Sequence, residues 1–478
     1  MDNAQIASPE IFMLFATCGV LVVDLFLNDR QRVITYWLAQ ATLVVALLLT
    51  WSQLGQVEAG PVLGYASAYT IDTMAISLKC WILVIGILGF LYARDYIRTR
   101  DIANGEYYVL GLFGIMGMCI MVSAGSLLTV YLGLELLALS LYAMVALNRS
   151  NAEASEAAMK YFVLGALASG MLLYGMSMVY GSTGSLELGA ISAALENGDA
   201  RSTGARFGLT FIIVGVAFKL GAVPFHMWVP DIYDGAPTSV TLYISTAPKI
   251  AAFAMVIRLL VDGLGVLNAD WQMMLAVLAA LSLVVGNLLA IAQENIKRML
   301  AYSTISHVGF LLLGIVAANP EGYSASMFYT VTYALTTLAA FGVLLVMSRL
   351  GFEAVLLRDL SGLFRRNALL ATVMMLALIS LAGVPPLVGF YAKLSVLKAV
   401  ISAGYLWLAI IAVFMSVVGA FYYLRAIKLM FFDEPFDGHE VVAAPDVNAA
   451  LALNGAMIVA LGIFPSLIMG LCMRAFAA

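Results

Sequence analysis

Charge is scarce in this chain: only 11% of its 478 residues are Asp, Glu, Lys or Arg, where a soluble domain carries about a quarter. With 63% hydrophobic residues and a mean hydropathy of +0.99, no soluble fold of this length hides the apolar surface. Lipid is therefore the solvent for most of it, and the net charge of −4 says less than where the charges sit. Cysteine is scarce too. Cys18, Cys80, Cys119 and Cys472 stand singly in apolar stretches with no C-x-x-C pair, which leaves cluster ligation and a disulfide framework unsupported and reads them as packing residues. The chain holds no P-loop, no Gly-rich dinucleotide turn and no metal-ligand cluster. Its longest connections, near 181–206 and 348–368, are too short to fold alone. Such a chain neither burns ATP nor carries electrons itself, so its energy comes from an ion gradient or a partner. The first apolar run follows Met1-Asp2 and holds Glu10; without the basic start of a cleaved signal, it reads as a retained span.

What is abundant is apolar helix. About 20 apolar residues cross a bilayer core, and that ruler finds fourteen candidate spans of an all-α integral membrane fold. They lie near 8–27, 33–54, 71–93, 107–123, 127–147, 157–180, 207–229, 239–262, 271–293, 298–317, 323–347, 369–400, 404–427 and 449–473. Alternate loops hold Arg30, Arg32, Arg94, Arg98, Arg100, Arg149, Lys297, Arg298, Arg349, Arg358, Arg365, Arg366, Arg425 and Lys428, fourteen of the 24 basic residues. That side is expected to be cytoplasmic, with both termini on the periplasmic side of a bacterial inner membrane.

Two spans carry turn chemistry at mid-membrane. The seventh reads Lys219-Leu-Gly-Ala-Val-Pro224-Phe-His226-Met-Trp-Val-Pro230, and the twelfth Leu381-Ala-Gly-Val-Pro385-Pro386-Leu-Val-Gly389-Phe-Tyr-Ala-Lys393. Proline removes a backbone donor and frees a carbonyl, so both helices are expected to be discontinuous, which is tolerated at that depth only inside protein or beside a wet cavity. Either break alone is equally a packing kink. Their offset of five spans reverses topology, which points to two inverted five-helix repeats and to a transporter's site. The expected division is residues 1–103 for helices 1–3, 104–262 for the first repeat, 263–428 for the second, and 429–478 for a cytoplasmic loop and the last helix.

An ionisable side chain at the helix centre costs roughly 2.5–3.5 kcal/mol on insertion scales. Counting about 10 residues from each span's start to mid-membrane, Glu135, Lys219, Lys249, His307 and Lys393 fall near one plane. Any one of them is equally a static ion pair or a satisfied core group; five at one depth, two beside broken helices, point to a proton relay. Glu135 and Lys219 are the expected ion pair, and Lys249 and Lys393 have no evident acidic partner. His307 titrates near neutrality by nature. Hydroxyls of Ser303, Thr304, Ser306, Thr330, Thr332, Tyr333, Thr336 and Thr337 either hold water between these groups or bond helix to helix. Lys160 and His226, nearer the cytoplasmic end, form an entrance or simply snorkel. Asp24, Arg258 and Lys398 lie near span ends and read as snorkelling; Asp231 and Asp234 read as turn or capping residues of a loop. Lys79, outside the repeats, has no assignment.

The sequence resembles the antiporter-like subunits of respiratory complex I and their relatives in multisubunit cation/proton antiporters. The resemblance covers nearly the whole chain. It is carried by Gly133-Leu-Glu135-Leu, Val223-Pro-Phe-His226-Met-Trp, Ala301-Tyr-Ser-Thr-Ile-Ser-His307-Val-Gly and Gly383-Val-Pro-Pro-Leu-Val-Gly-Phe-Tyr-Ala-Lys393. Within that family the N-type branch is most similar. Its signs are Lys160-Tyr-Phe-Val-Leu-Gly-Ala-Leu-Ala-Ser, Lys393 where M-type subunits show glutamate, and no long L-type extension. The resemblance implies proton translocation driven by quinone reduction elsewhere in the complex, a Glu135–Lys219 pair, and a relay through Lys249 and Lys393. It implies M-type and K-type neighbours. NADH, FMN, iron–sulfur clusters and quinone would be used by the complex, with no cofactor or metal on this chain. The competing readings are a subunit of a cation/proton antiporter, exchanging Na⁺ or K⁺ through the same axis, a structural membrane scaffold, and a stand-alone metabolite transporter.

Overall fold

The computed structural model describes residues 3–28, 31–57, 60–100, 102, 104–197, 203–348, 351–435 and 440–477. Arg30 and Arg349, and the expected boundary at 103, lie outside the described residues. Backbone in hydrocarbon must satisfy its own hydrogen bonds, and the chain does so almost wholly with helices. In chain order, apart from single-turn pieces, they are α1 (Ser8–Asp24), α2 (Val33–Ser52), α3 (Thr73–Arg100), α4 (Asn104–Val122), α5 (Leu127–Val145) and α6 (Ala152–Thr183). Then come α7 (Leu188–Asn197), α8 (Thr203–Leu220), α9 (Trp228–Gly235), α10 (Thr238–Ser245), α11 (Ala247–Val256), α12 (Asn268–Ile291) and α13 (Ile296–Val316). The series ends with α14 (Pro320–Met347), α15 (Ala368–Ala382), α16 (Val388–Ser402), α17 (Leu406–Phe432), α18 (Pro445–Ile463) and α19 (Ser466–Ala475). Several begin on side-chain caps: Ser126, Asn151, Asn295, Asn319 and Asn367 each accept from backbone amides of the first turn.

Among the described residues, 12 helices are long and apolar enough to cross a membrane. The count of fourteen is not reached by that measure. Residues 8–27 give a helix of 17 residues, and 369–400 gives two short helices instead of one. The seventh and twelfth spans are broken, as the prolines require: α8 stops at Leu220 before α9, and α15 at Ala382 before α16.

The helices form two compact units. Unit 1 comprises residues 1–90, 102–220 and 247–274; unit 2 comprises 91–101, 221–246 and 275–478. In unit 2, α13 and α14 have 94% of their apolar windows buried, against 33% for α17 and α18. Polar groups on α13 and α14 are therefore held by protein and not by lipid.

Unit 1 also holds an antiparallel hairpin, β1 (Val62–Gly64) and β2 (Tyr69–Ile71), that the apolar pattern does not foretell. The hairpin covers Lys79, whose ammonium is fully buried, 2.6 Å from Glu10 Oε1, and donates to Tyr69 Oη at 2.7 Å. Removing one partner of a buried ion pair costs about 3–5 kcal/mol. Lys79→Ala is therefore expected to lower the thermal midpoint of the purified protein in mild detergent. The uncharged pair Glu10→Gln/Lys79→Met is expected to restore most of the loss.

Two weaker expectations are corrected. Arg258 does not snorkel: it is 4% exposed, 2.7 Å from Asp72 and 2.9 Å from Asp262, and donates to the Val122 carbonyl. Two partly exposed carboxylates reach the buried guanidinium, so it has no need to extend to the interface itself. Asp231 and Asp234 lie on α9, not in a loop, and pair with Arg298 at 3.0 and 3.5 Å.

Candidate functional site

In unit 1, the break after α8 leaves carbonyls at a helix C-terminus without intrahelical donors. Lys249, 3% exposed on α11, donates to one of them, the Leu220 carbonyl, at 2.8 Å. An ammonium at that end is also favoured by the helix dipole. Lys219 sits one residue before the break. Its ammonium lies 6.0 Å from the centre of the Tyr142 ring. The expected direct ion pair with Glu135 does not form: none of 4.0 Å or less joins them among the described residues. Glu135 sits on the edge of α5 that carries the exposed Leu132 and Leu139. Its Oε1 is buried with no hydrogen-bond partner among the described residues.

Unit 2 repeats the arrangement at its own break. A left-handed glycine, Gly383 with φ 84°, ends α15 as a C-cap. A Cβ there would meet the Lys393 side chain at 2.7 Å, so the glycine leaves room for the lysine. Lys393, 7% exposed on α16, donates to the last carbonyl of α15, Ala382, at 3.0 Å and to Ser416 Oγ at 2.9 Å. Gly221, with φ 83°, follows α8 in the same way, and each break contains one cis X–Pro bond, Val223–Pro224 and Pro385–Pro386.

His307 is held on both sides. Its Nδ1 is 2.5 Å from Tyr329 Oη on α14, and its Nε2 is 3.1 Å from Tyr423 Oη on α17, which also hydrogen-bonds Ser303. Most of the expected water-holding hydroxyls are spent elsewhere. Thr330, Thr332 and Thr336 donate to carbonyls of their own helix, Tyr333 donates to Thr304, and Ser306 accepts from Asn287. A cavity of about 10 Å³, room for roughly one water, remains between His307, Tyr329, Thr336, Ser380 and Gly389.

The remaining candidates stand apart from these clusters. Lys160 lies on the exposed face of α6 and pairs with Glu156 one turn away at 2.9 Å. His226 is partly buried in the turn before α9, its carbonyl accepting from Val229 N at 2.9 Å. Reasoning from charge missed Tyr329, Tyr423 and Ser416. Tyr329 and Tyr423 both lie inside apolar helices, where a search for charge alone passes over them.

The chemistry turns on what holds each lysine. Lys79 is locked by a carboxylate, and losing its proton would leave a buried anion without a counter-ion. Lys393 is held by a carbonyl and a hydroxyl, with no carboxylate within 4.0 Å among the described residues. A neutral amine can donate to those acceptors as an ammonium does. Lys249 likewise donates to a carbonyl, that of Leu220.

A family described as NADH:quinone oxidoreductase/Mrp antiporter, transmembrane, matches residues 124–419, which include Glu135, Lys219, Lys249, His307 and Lys393. The chain belongs to this family. Among members of the NADH:quinone oxidoreductase/Mrp antiporter family, it is 56% identical over 470 residues to the NADH-quinone oxidoreductase subunit N of Thioalkalivibrio sulfidiphilus, covering 98% of this chain and 97% of the relative. It is 53% identical over 469 residues to subunit N of Nitrosomonas europaea, with the same coverage. A chain of respiratory complex I from Thermus thermophilus with bound aureothin superposes with a TM-score of 0.83 at 32% identity, over 97% of this chain and 98% of that one. A chain of the Mrp complex from a Dietzia species shares the fold of this family, with a TM-score of 0.86 at 22% identity, over 99% and 97%.

Proposed function

We propose that this chain moves protons across a bacterial inner membrane as a membrane subunit of an NADH:quinone oxidoreductase, driven by quinone reduction elsewhere in that complex. The observation that carries the reading is the pair of buried lysines, Lys249 and Lys393, each donating to a carbonyl at the open end of a broken helix. Unit 1 supplies Glu135, Lys219 and Lys249; unit 2 supplies His307 and Lys393. Residues 104–262 and 263–428 are the two inverted repeats on this reading. Lys160 and His226 serve the cytoplasmic entrance, and both termini face the periplasm. The chain binds no redox group; NADH, FMN, iron–sulfur clusters and quinone belong to its partners, and its membrane neighbours are the M-type and K-type subunits.

The test is Lys219→Ala in intact membranes, with assembly checked by copurification in mild detergent. Quinone-coupled proton pumping is expected to fall while the redox subunits still copurify. Full pumping, or copurification with small antiporter chains in place of redox subunits, contradicts the reading.

A further inference from the structure

We propose that Tyr423 and Tyr329 carry protons to and from His307, so that unit 2 contains a phenol–imidazole–phenol relay. This deepens the proton-translocation reading above and rests on it.

A histidine that only orients or packs is fixed by a one-way partner, a carbonyl or carboxylate on one ring nitrogen that selects a single tautomer. His307 has instead a hydroxyl on each nitrogen, from two different helices, at 2.5 and 3.1 Å. A hydroxyl both donates and accepts, so the site holds either tautomer. Beyond Tyr423 lies the Ser303 hydroxyl. Beyond Tyr329 lies the cavity it lines with His307 and Ser380, and Ser380 is on the last turn of α15, whose terminal carbonyl holds Lys393.

With its proton on Nδ1, the imidazole donates to Tyr329 and accepts from Tyr423. In one transfer the Tyr423 O–H bond breaks as an N–H bond forms at Nε2. The Nδ1–H bond breaks as an O–H bond forms at Tyr329, which releases its former hydroxyl proton to water in the cavity. Tyr423 is reprotonated through Ser303 from water on that side. One proton enters, one leaves and no electrons move; the imidazole is left protonated on Nε2, and water in the cavity beside it returns it to the first tautomer by taking that proton and giving one to Nδ1.

The experiment compares Tyr329→Phe, Tyr423→Phe and His307→Gln in the assembled complex, reading quinone-coupled proton pumping. Both phenylalanine variants are expected to lose at least about tenfold, a modest share of what a positioned proton-transfer group contributes. Full pumping in either, with His307→Gln inactive, overturns the relay and leaves the wider reading intact. Full pumping in all three overturns both. Should a phenylalanine variant fail to assemble, 3,5-difluorotyrosine at the same position keeps the hydroxyl and makes the phenol a stronger acid. The relay predicts a displaced pH profile of pumping; an unchanged profile means that the hydroxyl is only structural and overturns the proposal.

Discussion

Lys393→Met is expected to cut quinone-coupled proton pumping at least about tenfold, with the subunit still assembled. Methionine fills much of the same volume, so the loss isolates the ammonium from packing. The size follows from the role: a positioned acid–base group contributes about 100-fold or more to proton transfer. The Ala382 carbonyl loses its donor in this variant, at a stability cost on the order of 1–3 kcal/mol. Proton uptake into sealed vesicles driven by NADH oxidation, normalised to subunit content, measures the effect. The static pair is the control. Glu10→Gln/Lys79→Met removes an equally buried lysine and is expected to leave pumping intact, because a carboxylate-locked ammonium has no place in a relay.

Glu135→Gln is expected to match Lys219→Ala in its loss of pumping, and combining the two is expected to add little. The carboxylate does not touch the ammonium, so the prediction rests on its charge acting across the gap. Glutamine keeps the shape and removes the charge. The double-variant cycle should give a coupling on the order of 1–3 kcal/mol between the two positions. Independent, additive losses would separate Glu135 from Lys219.

Much of this was legible in the sequence because hydrocarbon imposes few solutions. Long apolar stretches must become helices, and Pro224 and Pro385-Pro386 must interrupt them. Depth along a span is also a sequence property, which is why Lys249, His307 and Lys393 stood out. Lateral position is not. The spacing of Glu135 and Lys219 along two helices gives their depth but not the gap between them, so a contact was expected where none within 4.0 Å is found among the described residues. Lys79 had no assignment because its counter-ion, Glu10, lies 69 positions away and beneath a hairpin whose strands are three residues long. Arg258 looked like a snorkelling end residue because nothing in the sequence joins it to Asp72. Tyr329 and Tyr423 escaped because phenols count as apolar in any search for misplaced charge, although buried in lipid-facing protein their hydroxyls need partners as much as a charge does.

Arginine at Lys249 and Lys393 separates charge from proton exchange. A guanidinium keeps the charge and still donates to the Leu220 and Ala382 carbonyls, but it does not give up its proton in a protein. Measured as NADH-driven proton pumping by the assembled complex, Lys249→Arg and Lys393→Arg are predicted to be as defective as the methionine variants. Arginine variants that pump at the parent rate would show that these positions need only a fixed positive charge, and exchangeable lysines could not be the basis of transport.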